Sequence, residues 1–209
     1  MKVCCLSDTH CMESDVRIPR CDLIVHAGDI TNLGELDALS VFNEWARKQP
    51  VPVVCIPGNH DRSLPDRAAR DILRHCTLLV DAETVFEGYK IYGSPWTPWF
   101  GGEYWAFNKH RGEDIREVWR DIPKDTDILI THGPPMGILD KVPRVAEPQG
   151  CADLRATVGG MRLKLHAFGH LHLQGGQKWQ DPSNGTWFVN AAVCNEAYEP
   201  VNPIVVIDI

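Results

Sequence analysis

Nowhere in this 209-residue sequence do apolar residues run on for the roughly 20 positions that a membrane-spanning helix needs, so no membrane span is expected. Basic residues are in the minority. Lys plus Arg number 21 against 28 Asp plus Glu, a net charge of −7, and no basic tract offsets the balance. A broad polyanion-binding face is therefore disfavoured, and long nucleic acid with it. No Cys-x-x-Cys pair occurs among the eight cysteines, which are scattered singly apart from Cys4-Cys5. The first residues carry neither a secretory h-region nor a small-residue cleavage site, so reduced thiols in a cytoplasmic protein are expected rather than a disulfide framework. Internal repeats and low-complexity segments are absent as well. What remains is an ordinary globular composition, 44% hydrophobic and 23% charged, of a length that suits one domain over residues 1–209.

Several short apolar runs end in polar residues of one chemical kind. Lys2 to Ser7 reads as a strand followed by Asp8-Thr9-His10, with two ligand-type side chains at i and i+2. Cys21 to His26 ends in Ala27-Gly28-Asp29, and the β-branched run from Val51 to Ile56 ends in Gly58-Asn59-His60-Asp61. Asp127 to Thr131 ends in His132, and Leu163 to Phe168 in Gly169-His170-Leu171-His172. Helical spacing appears over Leu36 to Arg47, Pro65 to Cys76, Glu113 to Asp121 and Cys151 to Val158. Strands alternating with helices predict an α/β fold. A hairpin of Thr84 to Phe86 and Lys90 to Tyr92 around Glu87-Gly88 makes the sheet mixed. Thr186 to Val189 and Ile204 to Ile207 are expected to belong to a second sheet over Gly175 to Ile209. Residues 136–150 read as a loop of no legible function.

A lone histidine at a strand end is ordinarily a satisfied polar residue, but five such tips together point to one centre. Imidazoles mixed with oxygen donors suit Mn, Fe, Ni or Zn, whereas Ca or Mg sites use oxygens. Seven ligand-type residues, Asp8, His10, Asp29, Asn59, His132, His170 and His172, exceed the needs of one ion. With one bridging carboxylate they furnish two divalent or trivalent transition-metal ions, Mn favoured. Between Gly93 and Trp105 lies a Pro/Gly-punctuated loop whose Trp96, Trp99, Phe100 and Trp105 either pack a lid or hold a ligand by stacking.

Asp8-x-His10, Gly28-Asp29, Gly58-Asn59-His60-Asp61, His132 and Gly169-His170-x-His172, in that order, resemble the signature of the calcineurin-like metallophosphoesterase superfamily. Gly93-Ser94-Pro95-Trp96, the Asp127 to Pro135 stretch and Asn190-Ala191-Ala192-Val193-Cys194 are similar to its metallophosphoesterase-domain-containing subgroup, related to class III cyclic nucleotide phosphodiesterases. The resemblance implies a four-layer αββα sandwich with two mixed sheets and a dinuclear site at the strand tips. It assigns Asp8, His10, Asp29 and His172 to one metal, and Asn59, His132, His170 and again Asp29 to the other. His60 is then left off the metals as a catalytic group at the leaving oxygen, with Asp61 expected to orient its ring. A metal-bridging hydroxide would attack phosphorus in line.

Two divalent ions with Asp8, Asp29 and one hydroxide total about +1, which matches a phosphodiester monoanion better than a monoester dianion. Phosphoprotein phosphatases of the superfamily carry Asp-Arg-Gly after the second motif and Asn-His-Glu in the third. Here Gly28-Asp29 continues Ile30-Thr31-Asn32, and Asn59-His60-Asp61 replaces the latter. The expected activity is hydrolysis of small phosphodiesters such as cyclic nucleotides. A phosphomonoesterase or phosphoprotein phosphatase and a weakly active nucleotide-binding scaffold are the alternatives. Homo-oligomerisation is left open.

Overall fold

The computed structural model describes residues 1–143 and 145–209. Its strands, in chain order, are β1 (Lys2–Leu6), β2 (Leu23–His26), β3 (Val53–Cys55), β4 (Thr77–Leu78), β5 (Ala82–Phe86), β6 (Tyr89–Ser94), β7 (Thr97–Pro98), β8 (Asn108–Lys109), β9 (Ile128–Thr131), β10 (Leu165–Phe168), β11 (Gln177–Gln180), β12 (Trp187–Asn190) and β13 (Val205–Asp208). The α-helices are α1 (Leu36–Arg47), α2 (Arg67–Arg70), α3 (Glu113–Arg120) and α4 (Ala152–Gly159). None of them is long and apolar enough to cross a membrane.

Period-two alternation explains the layering. In β1, Val3 and Cys5 face one buried cluster while Cys4 and Leu6 face another. The first cluster also holds Leu23, Val25, Ile91, Ile128, Ile130, Leu165 and Val189, so it lies between two sheets and draws on both. One sheet runs β13-β1-β2-β3-β4 and the other β11-β12-β10-β9-β6-β5. Helix α1 turns Leu39, Phe42, Trp45 and Ala46 onto the outer face of the first sheet. Helices α3 and α4 cover the second with Ile115, Trp119, Leu154 and Val158. Each Leu, Ile, Val or Phe among them, once fully buried, contributes roughly 1.5 to 3 kcal/mol. The result is the αββα sandwich. Strands β1, β2 and β3 are mutually parallel, as are β9 and β10. Their carboxyl ends therefore open on common edges, the place where open α/β sheets keep their sites.

Two sequence expectations change. The helix expected over 65–76 stops at Arg70, because Asn43 of α1 takes the backbone N–H groups of Arg74 and His75 on its amide oxygen, each at 2.8 Å. Ala69 and Leu73 stay buried even so. The C-terminal part does not build a sheet of its own. Strands β11 and β12 extend the second sheet, whereas β13 returns to pair antiparallel with β1. The hairpin of β5 and β6 forms as expected, Glu87 and Gly88 both taking positive φ, and it is longer than its apolar residues suggested.

Candidate metal centre

All seven residues read as ligands stand just beyond parallel strands, and both sheets supply them. Asp8 and His10 follow β1, Asp29 follows β2, and Asn59 follows β3; His132 follows β9, with His170 and His172 beyond β10. The backbone has to bend sharply to aim them. Asp8, His10, Asp29 and His170 adopt φ of 52°, 46°, 55° and 66°, a left-handed conformation that costs a non-glycine residue about 1 to 2 kcal/mol. Such strain persists only where surrounding contacts enforce it, and it concentrates at functional sites. Two glycines make the approach of the loops feasible. A Cβ at Gly58 would collide with the Asp29 carboxylate, and one at Gly169 with that of Asp8.

Hydrogen bonds fix the orientation of three rings. His10 donates its Nδ1–H to Thr31 O (3.2 Å), His132 to Ala27 O (2.8 Å) and His172 to Asn195 O (2.9 Å). Each Nε2 is thereby left as a lone pair aimed inward, the arrangement that metal-ligating histidines adopt. The inward atoms crowd together. His10 Nε2 lies 3.3 Å from His172 Nε2, and His172 Nε2 lies 3.3 Å from Asp8 Oδ1. His132 Nε2 lies 3.2 Å from Asp29 Oδ2 and 2.9 Å from Asn59 Oδ1. Two imidazole lone pairs facing each other at hydrogen-bond distance repel unless a cation stands between them, so the donor set fits metal ions.

Among the described residues three groups are spaced to hold an ion, each with its ligand atoms within 4.8 Å of one another: Asp8/His10/His172, Asp29/His132/His170 and His10/Asp29/His60. Each of the first two falls within one of the two ligand sets that the sequence resemblance implied, and Asp29 of the second also comes within 4.0 Å of His10 Nε2. A proton can take the place of an ion between these donors, and the charges then pair across the same contacts. Burial raises the Asp8 carboxyl, but the hydrogen bond and charge of His172, with His132 behind it, bring it down to about 2. Burial likewise opposes ionisation of Asp29, yet His132, His10 and His60 hold it well below the usual carboxylate range. His132 answers in kind: burial disfavours its charge, but Asp29 pushes the ring up to about 9. His170 is pushed down to about 4 by burial and then by the neighbouring His132.

Asp61 does not meet the His60 ring. Its Oδ1 accepts from Thr31 N (2.8 Å) and Thr31 Oγ1 (2.9 Å), and its Oδ2 from Gly58 N (2.8 Å) and Ile30 N (3.2 Å). It clamps the loop after β2 to the loop after β3. The ring of His60 instead donates Nδ1–H to the backbone carbonyl of Asn32, packs 4.5 Å from Trp105 and meets His10 edge-on at 4.7 Å, all distances between centroids. That leaves Nε2 as the nitrogen free to serve the cleft.

The cleft above the centre has a volume of about 440 Å³, and Phe100, Trp105, Val142, Leu173, Glu196 and Tyr198 wall it around His60, His170 and His172. Of the four aromatics expected to contact substrate, Phe100 and Trp105 are there and the other two are not. Trp96 turns inward, donates its indole N–H to Asp81 Oδ2 at 2.8 Å and packs edge-on against Phe107. Trp99 sits beside His110 at 5.7 Å, outside the cleft lining. The pairing of β7 with β8 folds the loop back and separates these neighbours in sequence. Sequence reasoning missed Tyr198 and Asn195, which carry no ligand-type spacing, and Val142 of the loop over 136–150. Arg144 of that loop lies outside the described residues.

Residues 1–174 match the family described as Calcineurin-like phosphoesterase. Metallophosphoesterase domain-containing protein 1 of Homo sapiens is 38% identical over 98% of this chain and 70% of its own length. A UPF0046 protein of Caenorhabditis elegans is 36% identical over 98% of this chain and 74% of its own. Among solved structures, the phosphopantetheinyl hydrolase PptH of Mycobacterium tuberculosis aligns with a TM-score of 0.60 over 94% of this chain and 90% of its own. At 13% identity that likeness concerns the fold alone.

Proposed function

The chain belongs to the calcineurin-like phosphoesterase family and is a metal-dependent phosphoesterase, and we propose that it hydrolyses small phosphodiesters, cyclic nucleotides among them. The observation that carries this reading is the make-up of the cleft. Among the described residues no Lys or Arg lines it, so apart from a proton on His60 they add no positive charge to that of the metal centre. A monoester dianion calls for additional cations such as guanidinium groups, whereas a diester monoanion is matched by a centre of about +1. Phe100 and Trp105 add flat apolar surface that suits a nucleobase or aryl group.

In this reading Asp8, His10, Asp29 and His172 hold one ion, Asn59, His132, His170 and Asp29 the other, and the mixed imidazole and oxygen donors favour Mn. The ions, when bound, supply positive charge for the phosphoryl oxygens and activate water for attack at phosphorus. The chain's own residues do the rest. Asp29, fixed by His60 N at 2.8 Å on its Oδ1, keeps Oδ2 turned toward His132. His60, held by Asn32 O and Trp105, presents Nε2 to the ester and transfers a proton to the departing oxygen from its protonated form. Free thiols at all eight cysteines support a reducing, cytoplasmic setting.

The test is kcat/KM of the Mn²⁺-loaded protein for a bis-aryl phosphodiester, a cyclic nucleotide and an aryl phosphomonoester. Higher values for the two diesters are expected. A marked preference for the monoester overturns the phosphodiesterase reading.

A further inference from the structure

Tyr198 stands over the metal centre in a strained conformation. Its φ of 61° is left-handed, which a tyrosine adopts only at a cost. The residue is 42% exposed, so core packing does not repay that cost. Instead the ring meets His10 at 4.6 Å and His172 at 5.6 Å, both edge-on, and comes within 6.1 Å of His60. A dedicated turn holds it there. Asn195 Oδ1 accepts from Ala197 N (2.9 Å) and Glu199 N (3.0 Å), and Asn195 O accepts from Tyr198 N (2.9 Å) and from His172 Nδ1–H (2.9 Å). The turn that bends Tyr198 over the cleft is thus tied to the ring of a proposed ligand. Asn202 braces it further, donating to His172 O and Cys194 O.

Among the described residues lining the cleft there is no Ser or Thr, and Tyr198 carries the one hydroxyl. A phenol is neutral at ordinary pH and donates a hydrogen bond without adding charge. We propose that Tyr198 is a substrate-contacting residue whose hydroxyl donates to a phosphoryl oxygen of the bound ester while its ring closes the wall on the His10 side. The inference rests on the phosphodiesterase reading for the identity of the ester. A neutral donor complements the monoanion of a diester, where a cationic side chain would favour the dianion of a monoester.

The experiment uses the full Mn²⁺-loaded chain with Tyr198→Phe and Tyr198→Gly. It reads kcat/KM for a bis-aryl phosphodiester, Kd for inorganic phosphate by calorimetry, metal content and Tm. Tyr198→Phe keeps the ring and loses the hydroxyl. Two ions per chain and an unchanged Tm are expected, with kcat/KM and phosphate affinity each lower by about tenfold, the weight of one lost hydrogen bond. Tyr198→Gly loses the wall too, so kcat/KM falls further, while Tm holds because relief of the left-handed strain offsets the extra freedom of glycine. Phosphate binding by Tyr198→Phe at wild-type strength overturns the proposal. So does a Tyr198→Gly protein that sheds metal and loses Tm, which would make the ring a structural prop. A wild-type protein that prefers monoesters defeats the phosphodiesterase reading instead, and the phosphate Kd then still decides the role of Tyr198.

Discussion

His166 carries the clearest consequence of how this interior excludes charge. Its ring is fully buried, and its Nε2–H donates to Thr131 Oγ1 at 2.8 Å, the threonine passing its own proton to Gly133 O at 2.8 Å. Nδ1 has no partner. With no charge nearby to compensate, burial pushes the ring from its ordinary 6.5 to about 3. The unfolded chain takes up a proton below pH 6.5 and the folded chain does not, so stability is intact above 6.5 and is lost as pH falls from there toward 3. Between pH 7.5 and pH 5 the unfolded ring gains about 1.5 pH units of protonation free energy, roughly 2 kcal/mol. His166→Gln retains an N–H for Thr131 Oγ1 and cannot titrate. In urea unfolding of both proteins at the two pH values, the variant should lose about 2 kcal/mol less on acidification than the wild type, contributions of the metal centre being common to both. Equal losses would show that His166 protonates inside the folded protein, and the reasoning about its burial would be wrong.

Asp29→Ala removes the one oxygen donor that both proposed ligand groups share, so metal analysis should show loss at both positions together with loss of turnover; two ions at full occupancy would contradict the assignment. His60→Ala should keep both ions and lose on the order of 10² to 10⁴ in kcat, the range for a lost acid-base group, and loss of an ion would make the ring a ligand. Asp61→Asn with its NH2 in the place of Oδ2 faces two buried N–H donors, those of Gly58 and Ile30, at about 1 to 3 kcal/mol each, partly offset because burial and the Asp29 charge already hold this carboxyl up at about 6. Because Asp61 braces loops and does not touch the ring, Asp61→Asn should lower Tm while leaving much more of kcat than His60→Ala does, and a kcat loss equal to that of His60→Ala with Tm unchanged would return Asp61 to the role first expected of it. Phe100→Ala should raise KM for a nucleotide diester with Tm unchanged, whereas Trp96→Ala should lower Tm by several degrees with KM unchanged; the reverse pattern would refute the division of the aromatic loop.

The clustering of these donors was legible because each residue read as a ligand follows a short apolar run, and parallel strands deliver such ends to one edge. Asp8, Asp29, Asn59, His132 and His170 could be read this way without knowing which sheet held them. What escaped depends on backbone atoms and on long-range contacts. His60 takes its orientation from the carbonyl of Asn32, which no side-chain pattern reports, whereas the adjacent carboxylate of Asp61 looked like the natural partner. The truncation of α2 depends on Asn43, some thirty residues earlier, competing for its N–H groups. Trp96 and Phe100 lie four residues apart in one loop, and only the β7–β8 pairing decides that one is core and the other cleft. Tyr198 lies beyond the last recognisable motif, in a turn whose purpose is visible only through the Asn195 carbonyl that it shares with His172.

The account stands most directly on the claim that two ions share Asp29. Anomalous diffraction from crystals of the protein grown with Mn²⁺ measures it. Two peaks are expected, roughly 3.5 to 4 Å apart as in other two-metal sites, one among Asp8, His10 and His172 and one among Asn59, His132 and His170, with the Asp29 carboxylate between them. A single peak, or a second ion held by the His60 ring in place of His132 and His170, would contradict it.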